Sequence, residues 1–170
     1  MDFRAAVVTL SDKGARGERE DLSGAECVRM LEEVGIPVAD TRIIPDERLE
    51  IERTLIALAA QGLDLVVTTG GTGVSPRDVT PEATLAVIDR TLPGMAEAMR
   101  LASLAVTPHA MLSRAVAGLR NRTLIINLPG SPRGVRENLA VVLPALRHAL
   151  EQLSLIHISE PTRLLSISYA

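Results

Sequence analysis

The chain is predicted to be an α/β protein: a three-layer, doubly wound sheet, mostly parallel with one antiparallel strand, and helices on both faces. Three observations predict this. Apolar, β-branched runs alternate with segments of helical period along residues 3–150, the signature of strand–helix units. Two of the runs, residues 115–119 and 124–127, lie too close for a helical crossover, so that pair must be antiparallel. The length, 170 residues, suits one compact domain.

The elements follow in order. Residues 3–10 form a buried strand, and residues 22–34 a helix that Gly35 and Pro37 end. Residues 38–44 alternate as a strand. The next helix starts after Asp46 and carries Ile51, Leu55 and Leu58 on one face. Residues 63–69 are a second buried strand that runs straight into Gly70-Gly71-Thr72-Gly73. Pro81 and Pro93 each suit a first helical turn. The last helix starts near Pro132 and aligns Val135, Leu139, Val142, Leu146 and Leu150, with Pro144 expected to kink it. Ligands of such sheets bind beyond the carboxyl ends of the strands. The loops after Leu10, Ile44, Thr69 and Asn127 are therefore expected to converge.

Composition narrows the function. Hydrophobic residues make up 46% and charged residues 23%, a globular mix. The core must be aliphatic, because Phe3 and Tyr169 are the only aromatics. Net charge is −3, and the 18 basic residues, of which only Lys13 is lysine, form no stripe. This argues against nucleic acid and an anionic membrane as main partners. Cys27 is the single cysteine, so neither an internal disulfide nor a cysteine-based metal site is available. No apolar stretch reaches the roughly 18 residues of a membrane span, and the start lacks a leader pattern; a cytoplasmic setting is expected.

Residues 153–170 differ from the body. They are rich in Ser, Ile and Leu, whereas the body is rich in Ala, Gly and Arg. This stretch resembles the translation of a sequencing-library adaptor and is expected to be a non-native tail, leaving residues 1–152 as the functional domain.

The strongest chemical signal is residues 68–83, Thr-Thr-Gly-Gly-Thr-Gly-Val-Ser-Pro-Arg-Asp-Val-Thr-Pro-Glu-Ala. Gly70, Gly71 and Gly73 after a strand let backbone N–H groups approach an anion, with Thr72 and Ser75 adding hydroxyls. Pro76 takes the third glycine's place in a dinucleotide fingerprint, and Lys13 lies outside any P-loop, so the general nucleotide motifs fail. A carboxylate near such a cradle, Asp78, repels phosphate unless a cation intervenes, and Mg²⁺ fits that role. Otherwise Asp78 forms a turn. Asp46, at a strand end and helix start, is either a helix cap or a second carboxylate for the same cation. Ser11 and Asp12 end the first strand, as nucleotide contacts or as a local turn. Asp21 reads as a cap. Pro129-Gly130-Ser131 precedes the last helix, as an anion site or an ordinary cap. Ser113 and Arg114 precede the strand pair, where Arg114 either pairs with phosphate or is a solvated charge. Gly94 and Glu97 open a helix, with Glu97 either contacting a nucleotide or pairing with Arg100.

Segments 9–12, 44–47, 68–83, 93–100, 112–114 and 124–132, in this order, resemble the molybdopterin adenylyltransferase family of the MogA proteins and the plant and gephyrin G-domains. The resemblance covers residues 3–152. It implies the MoaB/Mog fold, a homotrimer, Mg²⁺, and ATP and molybdopterin as substrates, giving adenylyl-molybdopterin and pyrophosphate. On it, Asp46 and Asp78 are the catalytic, metal-holding pair. Gly70, Gly71, Thr72, Gly73, Ser75, Ser113, Arg114, Pro129, Gly130 and Ser131 hold the pterin phosphate. Ser11, Asp12, Thr69, Gly94 and Glu97 face the nucleotide. A contact with a molybdenum-inserting enzyme of the MoeA type is a further implication. The alternative is a MoaB-like protein that binds molybdopterin without adenylyl transfer. A MoeA-type inserting enzyme itself needs a much longer chain.

Overall fold

The computed structural model describes the backbone of residues 1–168 and the side chains of residues 1–155; Tyr169 and most of the distinct stretch 153–170 lie outside the described side chains. Six strands, β1 (Ala5–Leu10), β2 (Val38–Ile44), β3 (Leu65–Thr69), β4 (Arg90–Thr91), β5 (Ala117–Arg120) and β6 (Thr123–Leu128), form one sheet in the order β2-β1-β3-β6-β5-β4. β2, β1, β3 and β6 are parallel. β5 runs antiparallel to β6, as the short spacing requires, and β4 antiparallel to β5. The β5–β6 turn uses Asn121 at φ 52°, a left-handed conformation that Asn tolerates. β4 is a difference from expectation, since two residues are too few to show a period.

The helices are α1 (Asp12–Ala15), α2 (Leu22–Glu33), α3 (Arg48–Ala60), α4 (Thr80–Val87), α5 (Pro93–Leu104) and α6 (Pro132–Ser168), with a 3-10 turn at Pro108–Leu112. α2 ends where Gly35 takes φ +81°, as its stop signals predict. α6 continues both through Pro144 and past residue 152. Pro144 and Ala140, whose carbonyl loses its i+4 partner there, are both exposed, so the missing bond falls on the solvent side of the helix.

Both faces of the central parallel strands β1, β3 and β6 are buried, while the edge strands β2 and β4 are part-exposed. Ala5, Val7, Leu65, Val67, Leu124 and Ile126 point to one side, where α2 and α6 supply Leu31, Leu139 and Leu146. Ala6, Val8, Val66 and Ile125 point to the other, against Ile51, Leu55 and Leu58 of α3 and Val87 of α4. The alternation within each strand produces two aliphatic layers with the sheet between them. Cys27 lies in the first layer, and burial pushes its thiol up to about 12, so it is unreactive.

A buried polar cluster centred on Asn127 interrupts this core. Asn127 of β6 is fully buried. Its Oδ1 accepts from Val116 N at 3.1 Å, and its Nδ2 donates to the hydroxyls of Thr68 and Thr84 at 3.0 Å each. Thr84 in turn donates to the Thr80 carbonyl at 2.8 Å. The chain of bonds ties β6, β3 and α4 together beneath the loop that follows β3. Asn127→Leu strands these partners in an apolar layer. It should lower unfolding free energy by about 3 kcal/mol, read as a lower urea midpoint with unchanged m-value.

Candidate functional site

β1 and β3 are neighbours, yet the chain leaves β1 toward β2 on one side and returns to β3 on the other. A crevice therefore opens beyond their carboxyl ends. The loops after Leu10, Ile44 and Thr69 converge there with the loop after β6, as the sequence implies.

The path of the chain after β3 depends on glycine. Gly70 has φ +107°, and a Cβ there would overlap the Leu10 carbonyl oxygen. Gly71 has φ +68°, and its Cβ would overlap the Thr80 hydroxyl. Both positions suit only glycine. On the far side, a Cβ on Gly130 would lie 3.2 Å from Gly70 Cα. Backbone therefore passes against backbone, and the two loops make one ridge. Further bonds hold it. Thr69 Oγ1 donates to the Pro129 carbonyl at 2.6 Å, and Thr80 Oγ1 donates to the Gly70 carbonyl at 3.0 Å.

The ridge separates two cavities. The first, about 560 Å³, is walled by Ser11, Asp21, Asp46, Thr69, Gly70, Gly71, Asp78, Gly130 and Ser131, with Arg19 and Glu20 also on its lining. The second, about 490 Å³, takes Thr72, Gly73, Ser113, Pro129 and Ser131, with Val106, Ala110 and Leu112 as an apolar wall. Ser131 faces both. A site for two ligands that meet across a narrow backbone ridge is the natural reading of this shape.

The remaining sequence-identified residues fall elsewhere. Asp12 does not line the first cavity but is bonded to Asp46, which does. Ser75 is exposed at the loop tip. Gly94 and Glu97 are exposed at the start of α5 and line neither cavity. Glu97 does not pair with Arg100, whose guanidinium donates to the carbonyls of Ser113 and Ala115. Arg114 is part-exposed, but its guanidinium is engaged with the scaffold and not free for phosphate. Its Nε donates to the Gly73 carbonyl and one Nη to the Asp78 carbonyl, each at 2.7 Å, while the other Nη pairs with Glu82. A single side chain thus fixes both ends of the loop 73–78. Glu82, Thr80 and Arg77 were not singled out from sequence, although all lie in the segment 68–83. Nothing local distinguishes a threonine that pins a glycine from any other.

The capping alternatives resolve individually. Ser11 caps α1 and Asp21 caps α2, accepting from Gly14 N and Gly24 N. Ser131 accepts from Gly134 N at the start of α6. Asp78 accepts from Ser75 N at 3.0 Å, closing the loop as a turn residue. Asp46 is no cap: Glu47 precedes α3 and makes no side-chain cap bond. Instead Asp46 and Asp12 exchange bonds. Asp46 Oδ2 accepts from Asp12 N at 3.2 Å, and Asp12 Oδ1 accepts from Asp46 N at 2.9 Å. Asp46 Oδ1 is buried with no partner and lies 3.1 Å from where a Gly71 Cβ would stand. Asp78 Oδ2 is similarly 2.9 Å from the Gly73 Cβ position.

Electrostatics divide the aspartates. Burial, and then the charges of Asp12 and Asp78, raise the Asp46 carboxyl above the ordinary value. Arg77, bonded to Asp12 at 2.9 Å and to Glu47 at 3.0 Å, lowers the Asp12 carboxyl. A buried carboxylate oxygen lacking a donor, with a second carboxylate nearby, is a place for a hard cation. Among the described residues no cluster of three or more His, Cys, Asp or Glu is suited to hold a metal, so any cation here must complete its shell from a ligand or water.

With this geometry, the chain belongs to the family described as probable molybdopterin binding domain, whose model matches residues 6–148. Among its relatives is the molybdopterin adenylyltransferase of Helicobacter pylori strain J99. It is 46% identical over 148 residues, covering 85% of this chain and 84% of that protein. The molybdopterin adenylyltransferase of Escherichia coli K12 is 44% identical over 150 residues, covering 84% and 75%. The crystal structure of the molybdopterin biosynthesis enzyme MoaB from Thermus thermophilus is 52% identical with a TM-score of 0.84, covering 89% of this chain and 96% of that one. The tungsten cofactor synthesizing protein MoaB from Pyrococcus furiosus is 34% identical at a TM-score of 0.81, covering 89% and 97%.

The raised Asp46 carboxyl has a measurable consequence. The folded state holds the Asp46 proton more tightly than the unfolded state. The associated stabilisation is present at low pH and lost as pH rises through the folded-state value. Asp46→Asn should therefore melt above the parent at pH 7, and the difference should shrink as pH falls toward the ordinary aspartate value of 3.8. Thermal melts across that range read it directly.

Proposed function

We propose that this protein is a molybdopterin adenylyltransferase of molybdenum-cofactor synthesis, transferring AMP from ATP to molybdopterin with release of pyrophosphate. The observation that carries the reading is the partnerless Asp46 Oδ1, buried near Asp78 in one of two cavities that share a glycine ridge. The named relatives support the substrate class.

The first cavity takes the nucleotide and the second the pterin, whose flat ring suits the apolar wall of Val106, Ala110 and Leu112. The terminal phosphate of molybdopterin attacks the α-phosphorus of ATP, the bond to the β-phosphate oxygen breaks, and pyrophosphate leaves. The nucleophile is already an anion, so the chain need only align two polyanions and offset their charge. Asp46 and Asp78 would hold Mg²⁺, which supplies charge neutralisation at the reacting phosphates. Gly71, Thr72 and Gly73 present backbone N–H groups and a hydroxyl along the ridge, and Ser131 serves both cavities; the Gly70 N–H, expected from sequence as a further donor, is instead taken by the Leu128 carbonyl at 3.0 Å, because it continues the β3–β6 ladder. Ser11, Asp12 and Thr69 shape the nucleotide side. Arg114 acts through the loop it fixes. Gly94 and Glu97 stand away from both cavities and have no role in this scheme.

The functional unit is residues 1–152, in keeping with the family match over 6–148. Leu153 also packs onto the core at its edge. The resemblance to MogA proteins further supports a homotrimer, a cytoplasmic setting and delivery of the product to a MoeA-type enzyme. Exposed Leu101, Leu104 and Met111, around α5 and the 3-10 turn, offer apolar surface of the kind subunits cover. No helix of the described residues is long and apolar enough to cross a membrane.

Two measurements test the proposal. With ATP, Mg²⁺ and molybdopterin the chain should release pyrophosphate, and Asp78→Asn should slow release by about a hundredfold or more while keeping molybdopterin affinity within about twofold. Molybdopterin binding without pyrophosphate release by the parent chain would instead identify a binding protein. Sedimentation equilibrium should give three times the chain mass of 18.2 kDa; a monomer would remove the trimer.

A further inference from the structure

The first cavity poses an electrostatic problem that the ridge and the two aspartates do not solve. Four carboxylates line it, those of Glu20, Asp21, Asp46 and Asp78. Asp21 is engaged with Gly24 N and the Thr9 hydroxyl, but its charge remains. A triphosphate brings further negative charge into the same space. A divalent cation at Asp46 and Asp78 serves the phosphates near the ridge and leaves the outer ones facing acid.

The arginines around the site are mostly committed. Arg77 bridges Asp12 and Glu47, Arg114 holds the loop and Glu82, Arg16 pairs with Glu18, and Arg100 serves two carbonyls. Arg19 is different. Among the described residues it is the only Arg or Lys lining the first cavity, and it forms no ion pair or hydrogen bond with them. It stands on the loop between α1 and α2, two residues after a turn at Gly17 with φ +74°. That loop is exposed, so the guanidinium can reach into the cavity at little structural cost.

We propose that Arg19 binds the β- and γ-phosphates of the nucleoside triphosphate, and the pyrophosphate that leaves, as the outer counter-charge of the nucleotide cavity. The planar guanidinium suits two phosphate oxygens at once. Its contact lies on the leaving group and not on the attacking phosphate, so it sets nucleotide affinity and selectivity for the triphosphate and also offsets the charge that pyrophosphate gains as it departs. This rests on the adenylyl-transfer reading.

The test compares the full chain with Arg19→Ala and Arg19→Glu. Arg19→Ala should raise KM for ATP about tenfold, Arg19→Glu more, with kcat lowered by a smaller factor and KM for molybdopterin unchanged. Calorimetry with Mg²⁺ and inorganic pyrophosphate, in the absence of molybdopterin, should show the same weakening. Since Arg19 is exposed, melting temperatures should match the parent. An equal rise in both KM values, or unchanged pyrophosphate affinity in Arg19→Ala, overturns the assignment. If the parent chain releases pyrophosphate normally beside such a result, only Arg19 is misassigned; if the parent releases none, the transfer reading itself fails.

Discussion

The close passage of Gly70 beneath the Leu10 carbonyl and against Gly130 is the contact on which the site depends. Strand β3 ends at Thr69, and the next residue must turn with φ +107° where no side chain fits. Everything beyond follows from that turn. The ridge exists because three loops meet backbone to backbone, and two cavities exist because the ridge divides one crevice. Asp46 and Asp78 come close to the loop because Gly71 and Gly73 present bare Cα atoms to them.

The ridge is held rigid from behind by polar bonds in an otherwise aliphatic protein. Asn127, Thr68, Thr84 and Thr80 form a continuous path from the carboxyl end of β6 to the Gly70 carbonyl. Arg114 supports the outer half of the same loop through Gly73 and Asp78. Buried polar networks are costly unless every member is satisfied, and these are. The exception is informative: Asp46 Oδ1 and Glu82 Oε2 are the buried side-chain atoms without partners among the described residues, and both sit beside this loop. Glu82 already has Arg114 as its counter-ion, whereas Asp46 faces two other carboxylates, so the need for a cation is concentrated at Asp46.

Charge sets a second constraint. A protein with net charge −3 can hold phosphorylated ligands only by local donors. Backbone N–H groups at the glycine turns and the start of α6 suit that purpose, because they neutralise phosphate without adding long-range positive field. Most nearby arginines serve carbonyls and carboxylates of the scaffold, which keeps the cavities narrow and shaped.

Sequence alone determined the fold class and nearly all of the elements, because alternating and helical periods are local properties of the chain. It also located the four loops, since strand ends follow directly from those periods, and it marked the glycine segment 68–73 and the carboxylates at 46 and 78. Tertiary structure decided which of those residues share a cavity. Glu97, Ser75 and Arg114 carry the right chemistry in the right motifs, yet Glu97 and Ser75 are exposed outside both cavities and Arg114 is consumed by the scaffold. Tertiary structure also decided that Asp46 is no helix cap, because its neighbour in space is Asp12, 34 residues earlier. The physical reason is the same in each case. A side chain's role depends on which donors and charges surround it, and in a doubly wound sheet those come from loops far apart in sequence.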